Sequence, residues 1–416
     1  MSKLAIDGGS KVRNNPMPAR GLLGEAERAA ALAMFDEAIA SGVAFGYNGP
    51  QEERYGKEFA ELLGGGFADG VNSGTNALFC ALGALRLEPL SEVICPPITD
   101  PGGIMPVIFT GCVPVVADAD PRSYNSSAEE MAPLITERTR ALVVAHIAGD
   151  AVDMDPVMAL AEQHGLYVVE DCAQAHGAFY KGRRLGTIGH IAAFSTMFGK
   201  HFCTGGQGGL VYTRDEQLYW QERQFADRGK PFGVAPGSGT VGNVIAGINC
   251  NLDELGAAIG LAQLRKLPDI AARRIRVGNR VRDALAGNPV VQVGWQVPDS
   301  QSSYWFLRLH LELDALRVDK AAFCAALAAE GIPVVVAYRA IPAEFTWFRE
   351  KRCFGTSGFP WDCSDYRGPK EPVARIGQAI RAVETHFNIQ IHESYGDREA
   401  EDIAAACEKV AAAYAR

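Results

Sequence analysis

The sequence predicts an α/β protein built on a mostly parallel sheet, and three observations carry that prediction. Between about residues 70 and 215, short apolar β-type runs alternate with helical stretches. The runs are apolar almost throughout rather than at every second residue, as in strands covered on both faces. A chain of 416 residues, 48% hydrophobic and 21% charged, can bury one large domain core and a smaller one.

Taken in order, residues 1–23 hold Gly, Pro and Arg without periodicity and read as an N-terminal arm. A large domain follows over 24–267, with strands expected at 92–95, 113–117, 141–146, 166–170, 191–195 and 209–212. Helices are expected between them at 76–85, 155–164 and 215–225. Leu255, Ala258, Ile259 and Ala262 share one face of a helix over 255–267, and an Arg-rich helix over 269–286 comes next. The division falls there, with a smaller α+β domain over 268–416. It holds a strand at 303–311, a helix at 320–330 that Gly331 can cap, a strand at 332–337 and a terminal amphipathic helix at 399–414. Residues 354–372, rich in Gly, Pro, Ser and Asp, read as a loop.

Composition excludes some classes of function. A net charge of −9 disfavours nucleic acid or an anionic membrane as partner. No apolar run approaches membrane-spanning length, and the N-terminus lacks an apolar signal region. The ten cysteines form no Cys-x-x-Cys pair, so a reducing cytoplasm is expected. The eight histidines show no zinc spacing, and no metal site is expected.

Two residues point to chemistry. Asp171 ends the apolar run 167–170, and Lys200 follows the next strand among Phe194, Met197, Phe198 and Phe202. Alone, either is commonly a surface residue. Together they match what pyridoxal phosphate needs: a lysine for its aldehyde and a carboxylate to keep its pyridine nitrogen protonated. Other pieces surround the pair. Ser73-Gly74-Thr75 opens a helix, where free N–H groups and the helix dipole suit a phosphate. Walker A spacing is absent. Ala173 is small enough to lie flat against a ring, Gln174 can donate to a phenolate oxygen, and the Ser195 hydroxyl suits a phosphate oxygen. The stretch Gly205-Gly206-Gln207-Gly208-Gly209 lets backbone pass close to a planar ligand.

In this order the motifs Ser-Gly-Thr-x-Ala-Leu, Glu-Asp-x-Ala-Gln-Ala-His-Gly, Phe-Ser-x-x-x-x-Lys, the Gly-rich turn and Gly247-x-Asn249 resemble the DegT/DnrJ/StrS family. Further matches are Phe45-Gly46-Tyr47-Asn48-Gly49-Pro50 and Ala145-His146-Ile147-Ala148-Gly149-Asp150. The resemblance implies fold type I and a pyridoxal-phosphate-dependent aminotransferase. Such an enzyme moves an amino group from L-glutamate or L-glutamine to a keto sugar or keto cyclitol. It implies that Lys200 carries the cofactor and shuttles the proton, and that Asp171 partners the pyridine nitrogen. Gly74, Thr75 and Ser195 would hold the phosphate, with Asn249 reaching the neighbouring subunit's phosphate in a homodimer. Tyr304, Tyr338, Arg339 and Arg228 are candidates to contact the substrate.

The chain departs from the family pattern at several points. Asp100 stands where an aromatic residue usually stacks on the cofactor ring, and Asn249-Cys250-Asn251 lacks the usual arginine. The His-aromatic-x-Pro pattern common in nucleotide-sugar enzymes is replaced by Ala337-Tyr338-Arg339-Ala340-Ile341, nearer the aminohydroxybenzoate synthase and cyclitol branch. A dehydratase or synthase of the aminohydroxybenzoate type and a non-catalytic homologue are the alternatives, although the intact Asp171–Lys200 pair opposes the second. Because an unpaired carboxylate against a ring loses hydration at considerable cost, the 97–103 loop is expected to swing away.

Overall fold

The computed structural model describes residues 3–416. Its centre is a seven-stranded sheet. The strands are β1 (Phe67–Val71), β2 (Glu92–Cys95), β3 (Val113–Val116), β4 (Thr139–Ala145), β5 (Tyr167–Asp171), β6 (Ile191–Ser195) and β7 (Gly209–Thr213). They lie in the order β1-β7-β6-β5-β4-β2-β3. From β3 to β6 every pairing is parallel, while β7 runs antiparallel to both β6 and β1. Strands β2, β3, β6 and β7 are buried along their whole length, which is why they read as continuous apolar runs. Strand β1 escaped the sequence pattern because Asp69 and Gly70 interrupt it. Asp69 is buried and pairs with Arg223 at 3.2 Å.

Parallel strands place their carboxyl ends on one edge, and ligands in such sheets sit beyond that edge. Here Cys95, Ala145, Asp171 and Ser195 end there together. In the ladders Ala145 pairs with Asp171, which pairs in turn with Ala193. Helices α1 (Glu25–Ser41), α2 (Pro50–Leu62), α3 (Gly74–Ala84), α4 (Met154–His164), α5 (Glu216–Ala226) and α6 (Glu254–Leu264) accompany this sheet.

After α7 (Leu267–Ala284) comes a three-stranded antiparallel sheet, β8 (Val291–Val293), β9 (Leu307–Leu311) and β10 (His386–Ile389), with β9 central. Helices α8 (Lys320–Ala329) and α9 (Asp397–Tyr414) share its core. Two expected strands change. The run 332–337 makes only an isolated bridge, Val335 to Asn388, because Pro333 lacks an N–H and Val335 and Val336 stay exposed. The strand expected at 303–311 begins only at Leu307. Upstream, Tyr304 takes a positive φ of 48° and Trp305 N–H turns to the Ala148 carbonyl at 2.8 Å, bringing this segment to the large sheet.

The chain-order division at 267/268 differs from the packing in one respect. Ile341, Phe348, Trp361, Tyr366, Ala379 and Val383 join the large-sheet core, and both Val373 and Arg375 hydrogen-bond Val116 of the edge strand β3 at 2.9 Å. The arm is pinned to the small sheet's helices: Arg13 pairs with Glu399 and Asp402, and Glu330 accepts from the Ala5 and Val12 N–H groups.

Candidate active site

Asp171, the last residue of β5, and Lys200, in the turn after β6, line one cavity of about 230 Å³. Its other walls are Ser73, Gly74 and Thr75 from the start of α3, Asp100, Gly102 and Gly103 from the loop after β2, and Ala173, Ser195, Met197 and Gln207.

Lys200 is buried at 7% exposure, and its amine makes no hydrogen bond or ion pair among the described residues. It lies over the Trp305 ring, 4.2 Å from the centroid. Burial pushes its pKa down to about 8, against the opposing pull of the Asp171 and Asp100 carboxylates. A substantial neutral fraction near pH 8 is what a nucleophilic lysine requires. Two contacts fix its backbone: Lys200 N–H donates to the Met197 carbonyl, and Arg20 donates to the Lys200 carbonyl at 2.5 Å.

Burial raises the pKa of Asp171, offset partly by the Ala173 N–H at 3.0 Å and by the Lys200 charge. A desolvated carboxylate facing a cavity suits a cationic partner such as a protonated ring nitrogen. Neighbouring β-strand ends are held by Glu170, which accepts from the Gly186, Ile188 and Gly189 N–H groups and from His146 Nε2. His146 Nδ1 accepts from Val152 N–H, so Nε2 carries the proton. His146, Glu170 and Cys172 lie close enough to hold a metal ion, but the His146 and Glu170 atoms are all committed to protein hydrogen bonds.

At the other end, Ser73 caps α3 by accepting from Asn76 N–H at 3.1 Å. The Gly74 and Thr75 N–H groups at the first helical turn have no partner among the described residues, which leaves them for an anion. A Cβ on Gly74 would stand 2.5 Å from Ser195 Cβ, so only glycine lets the helix start and the β6 end close on one cradle. The buried His176, whose pKa burial lowers to about 4, donates through Nε2 to the Ser195 carbonyl at 2.8 Å and holds that strand end. Free N–H groups at one end, a desolvated carboxylate at the other and an unpaired buried lysine between them fit pyridoxal phosphate.

The Asp100 loop overturns its expectation. Instead of swinging away, 100–103 forms a tight turn capped by Asp100 Oδ1, which accepts from Gly102 N–H at 2.9 Å. A Cβ on Gly102 would meet Thr75 Oγ1 at 2.3 Å, and one on Gly103 would meet Asp171 Oδ2 at 3.0 Å. Glycine backbone thus spans from the start of α3 to Asp171. The two side-chain-free residues permit that approach, and Asp100 stays in the cavity wall.

The remaining sequence candidates divide. Gln174 lies just outside the cavity wall, because Oε1 accepts from Ala148 N–H at 2.8 Å and Nε2 donates to Tyr338 Oη at 3.0 Å. Tyr338 stands beside the site through that bond and stacks on Tyr124. Tyr304 does not reach the site: it is buried in the small-sheet core with its hydroxyl on Asn279 at 2.8 Å. Arg339 is exposed and paired with Glu344 at 2.8 Å, and Arg228 pairs with Asp227 at 2.7 Å. Asn249 is exposed, bonded to Asn251 and apart from the cavity of its own chain. Sequence reasoning missed Trp305 and the Gly102–Gly103 backbone, and it reached Gln207 only as part of the glycine-rich stretch. For Trp305 no periodicity could serve, since its segment is irregular and reaches Lys200 only by the bend at Tyr304.

A family model described as the DegT/DnrJ/EryC1/StrS aminotransferase family matches residues 25–356. The chain is 39% identical over 238 residues to GDP-perosamine synthase of Caulobacter vibrioides, a match covering 57% of this chain and 62% of that enzyme. The match thus spans a little under two thirds of that relative's length. With L-glutamine:2-deoxy-scyllo-inosose aminotransferase of Streptomyces fradiae it shares 32% identity, covering 100% of this chain and 97% of that one. Among solved structures, the aminotransferase from Psychrobacter cryohalolentis superposes with a TM-score of 0.81 at 30% identity, covering 96% of this chain and all of that one.

Proposed function

The chain belongs to the DegT/DnrJ/EryC1/StrS aminotransferase family, and from that premise we propose that it is a pyridoxal-phosphate-dependent aminotransferase. It moves the amino group of L-glutamine or L-glutamate to a keto cyclitol or keto sugar. The single observation that carries the reading is the buried, unpaired Lys200 amine sharing a cavity with Asp171 and the α3 cradle. The full-length likeness to a scyllo-inosose aminotransferase supports a ring ketone as acceptor.

Bound pyridoxal phosphate supplies a protonated ring that withdraws charge from the carbon bearing the amino group. The chain does the rest. Gly74 and Thr75 N–H groups and the Ser195 hydroxyl hold the phosphate. Asp171 keeps the ring nitrogen protonated. Lys200 Nζ would anchor the cofactor and would be the group that takes the proton from the donor Cα. The Trp305 face and the Gly199–Trp305 hydrogen bond of 2.9 Å keep the Lys200 turn in place. L-Glutamine is expected to bleach the cofactor's visible absorption band, and the correct keto ring to restore it. If no amino acid bleaches that band, the reading fails.

The active unit is a homodimer in which Asn249 reaches the partner's phosphate. Its support is an apolar surface: Phe35, Ile39 and Val43 are 47%, 78% and 69% exposed on and beside α1, and Ile248 beside Asn249 is 50% exposed. Mixing inactive Lys200→Ala and Asn249→Ala proteins is expected to restore activity through subunit exchange. An active monomer at high dilution would refute it. Ten free cysteines, eight of them buried, support a reducing cytoplasmic setting.

A further inference from the structure

The charge balance of the cavity turns on Asp100. Among the lining residues the charged groups are Asp100, Asp171 and Lys200. In the proposed function, on which this inference rests, Lys200 gives up its charge to hold the cofactor, and Asp171 is balanced by the ring nitrogen. That leaves Asp100 unbalanced. Its Oδ1 is held by Gly102 N–H at 2.9 Å, while Oδ2 has no hydrogen-bond partner among the described residues. The side chain is exposed to the cavity, so water solvates it until a ligand fills the space. The arginines expected or found nearby do not answer it: Arg339 is tied to Glu344, and Arg20 to Glu393 and the Lys200 carbonyl.

A filled cavity therefore places a fixed anion against the bound ligand in a partly dried site, where like charges repel more strongly than in water. A carboxylate facing Oδ2 is disfavoured, whereas an amide or hydroxyl there donates a hydrogen bond to it. We propose that Asp100 is a specificity-determining residue that selects ligands presenting a neutral hydrogen-bond donor, and so L-glutamine over L-glutamate as the amino donor. The amide of glutamine and a ring hydroxyl of the acceptor are the same chemistry to Asp100. This lets one residue serve both halves of the reaction.

Asp100→Asn isolates the charge, since asparagine keeps an Oδ1 to accept from Gly102 N–H. Half-reaction rates of the loaded enzyme with each donor give kcat/KM for wild type and variant. Wild type is expected to prefer glutamine. In the variant, the glutamine-to-glutamate ratio is expected to fall about tenfold or more, equivalent to about 1.4 kcal/mol per tenfold, chiefly through a lower KM for glutamate. A wild-type preference for glutamate, an unchanged ratio, or an equal loss with both donors would overturn the proposal. If wild type turns over neither amino acid, it is the functional reading that fails. The discrimination is then read directly from calorimetric dissociation constants of the two amino acids, with the same expected shift. Asp100→Ser, which can also cap Gly102, carries the same readout should Asp100→Asn fold poorly.

Discussion

Replacing Lys200 by alanine is expected to abolish amino transfer and to leave no cofactor attached after borohydride treatment and unfolding. The amine is the anchoring group and the proton carrier, so the rate loss should be roughly 10⁴-fold or more, the upper end of what a positioned acid–base group contributes. Near-normal turnover without added amine would remove Lys200 from both roles. A second readout needs no cofactor. Burial lowers the lysine pKa from 10.5 to about 8. Between those values the unfolded chain holds a proton that the folded apoprotein has lost. Stability of the apoprotein therefore rises with pH across that window and falls as pH drops through it. Lys200→Met, which keeps the volume, is expected to remove that slope. If urea denaturation of the apoproteins shows the same pH slope in both, the Lys200 amine is not desolvated as described.

Asp171→Asn is expected to fold and to bind cofactor while losing roughly 10²- to 10³-fold in kcat, the scale of removing one preorganised charge-stabilising group. The amide oxygen can still accept from Ala173 N–H, so the turn after β5 survives. What disappears is the charge that keeps the ring nitrogen protonated. The same substitution removes the main anion raising the Lys200 pKa, so amine labelling of the apoprotein should shift to lower pH. Full activity in this variant would exclude Asp171 from its assigned role. Loss of activity with an unshifted labelling profile would place the carboxylate farther from Lys200 than the structure does.

Much of this site was legible in the sequence because its main parts are local. Strands buried on both faces are apolar throughout, so the parallel strands and their ends could be counted along the chain. Asp171, Lys200 and Ser195 sit at those ends, and Ser73-Gly74-Thr75 is a helix start recognisable from its capping residue. Parallel pairing then sends all these ends to one edge. Those assignments needed only residue type and order. What remained hidden depends on segments far apart in sequence. The Asp100 loop looked too polar to stay, because the sequence could not show that Gly102 and Gly103 lie against Thr75 and Asp171, where any Cβ would collide. Tyr304 and Trp305 are neighbours of similar appearance, yet a positive φ at Tyr304 sends its own ring into the small-sheet core and the Trp305 ring over Lys200. Gln174 looked free to meet a cofactor until Tyr338, distant along the chain, took its amide. Strand ends and helix caps are set by nearest neighbours and the burial pattern, so the sequence determined them. Which side chains face the cavity is set by steric exclusion and hydrogen-bond competition between distant segments, and that only the tertiary structure decided.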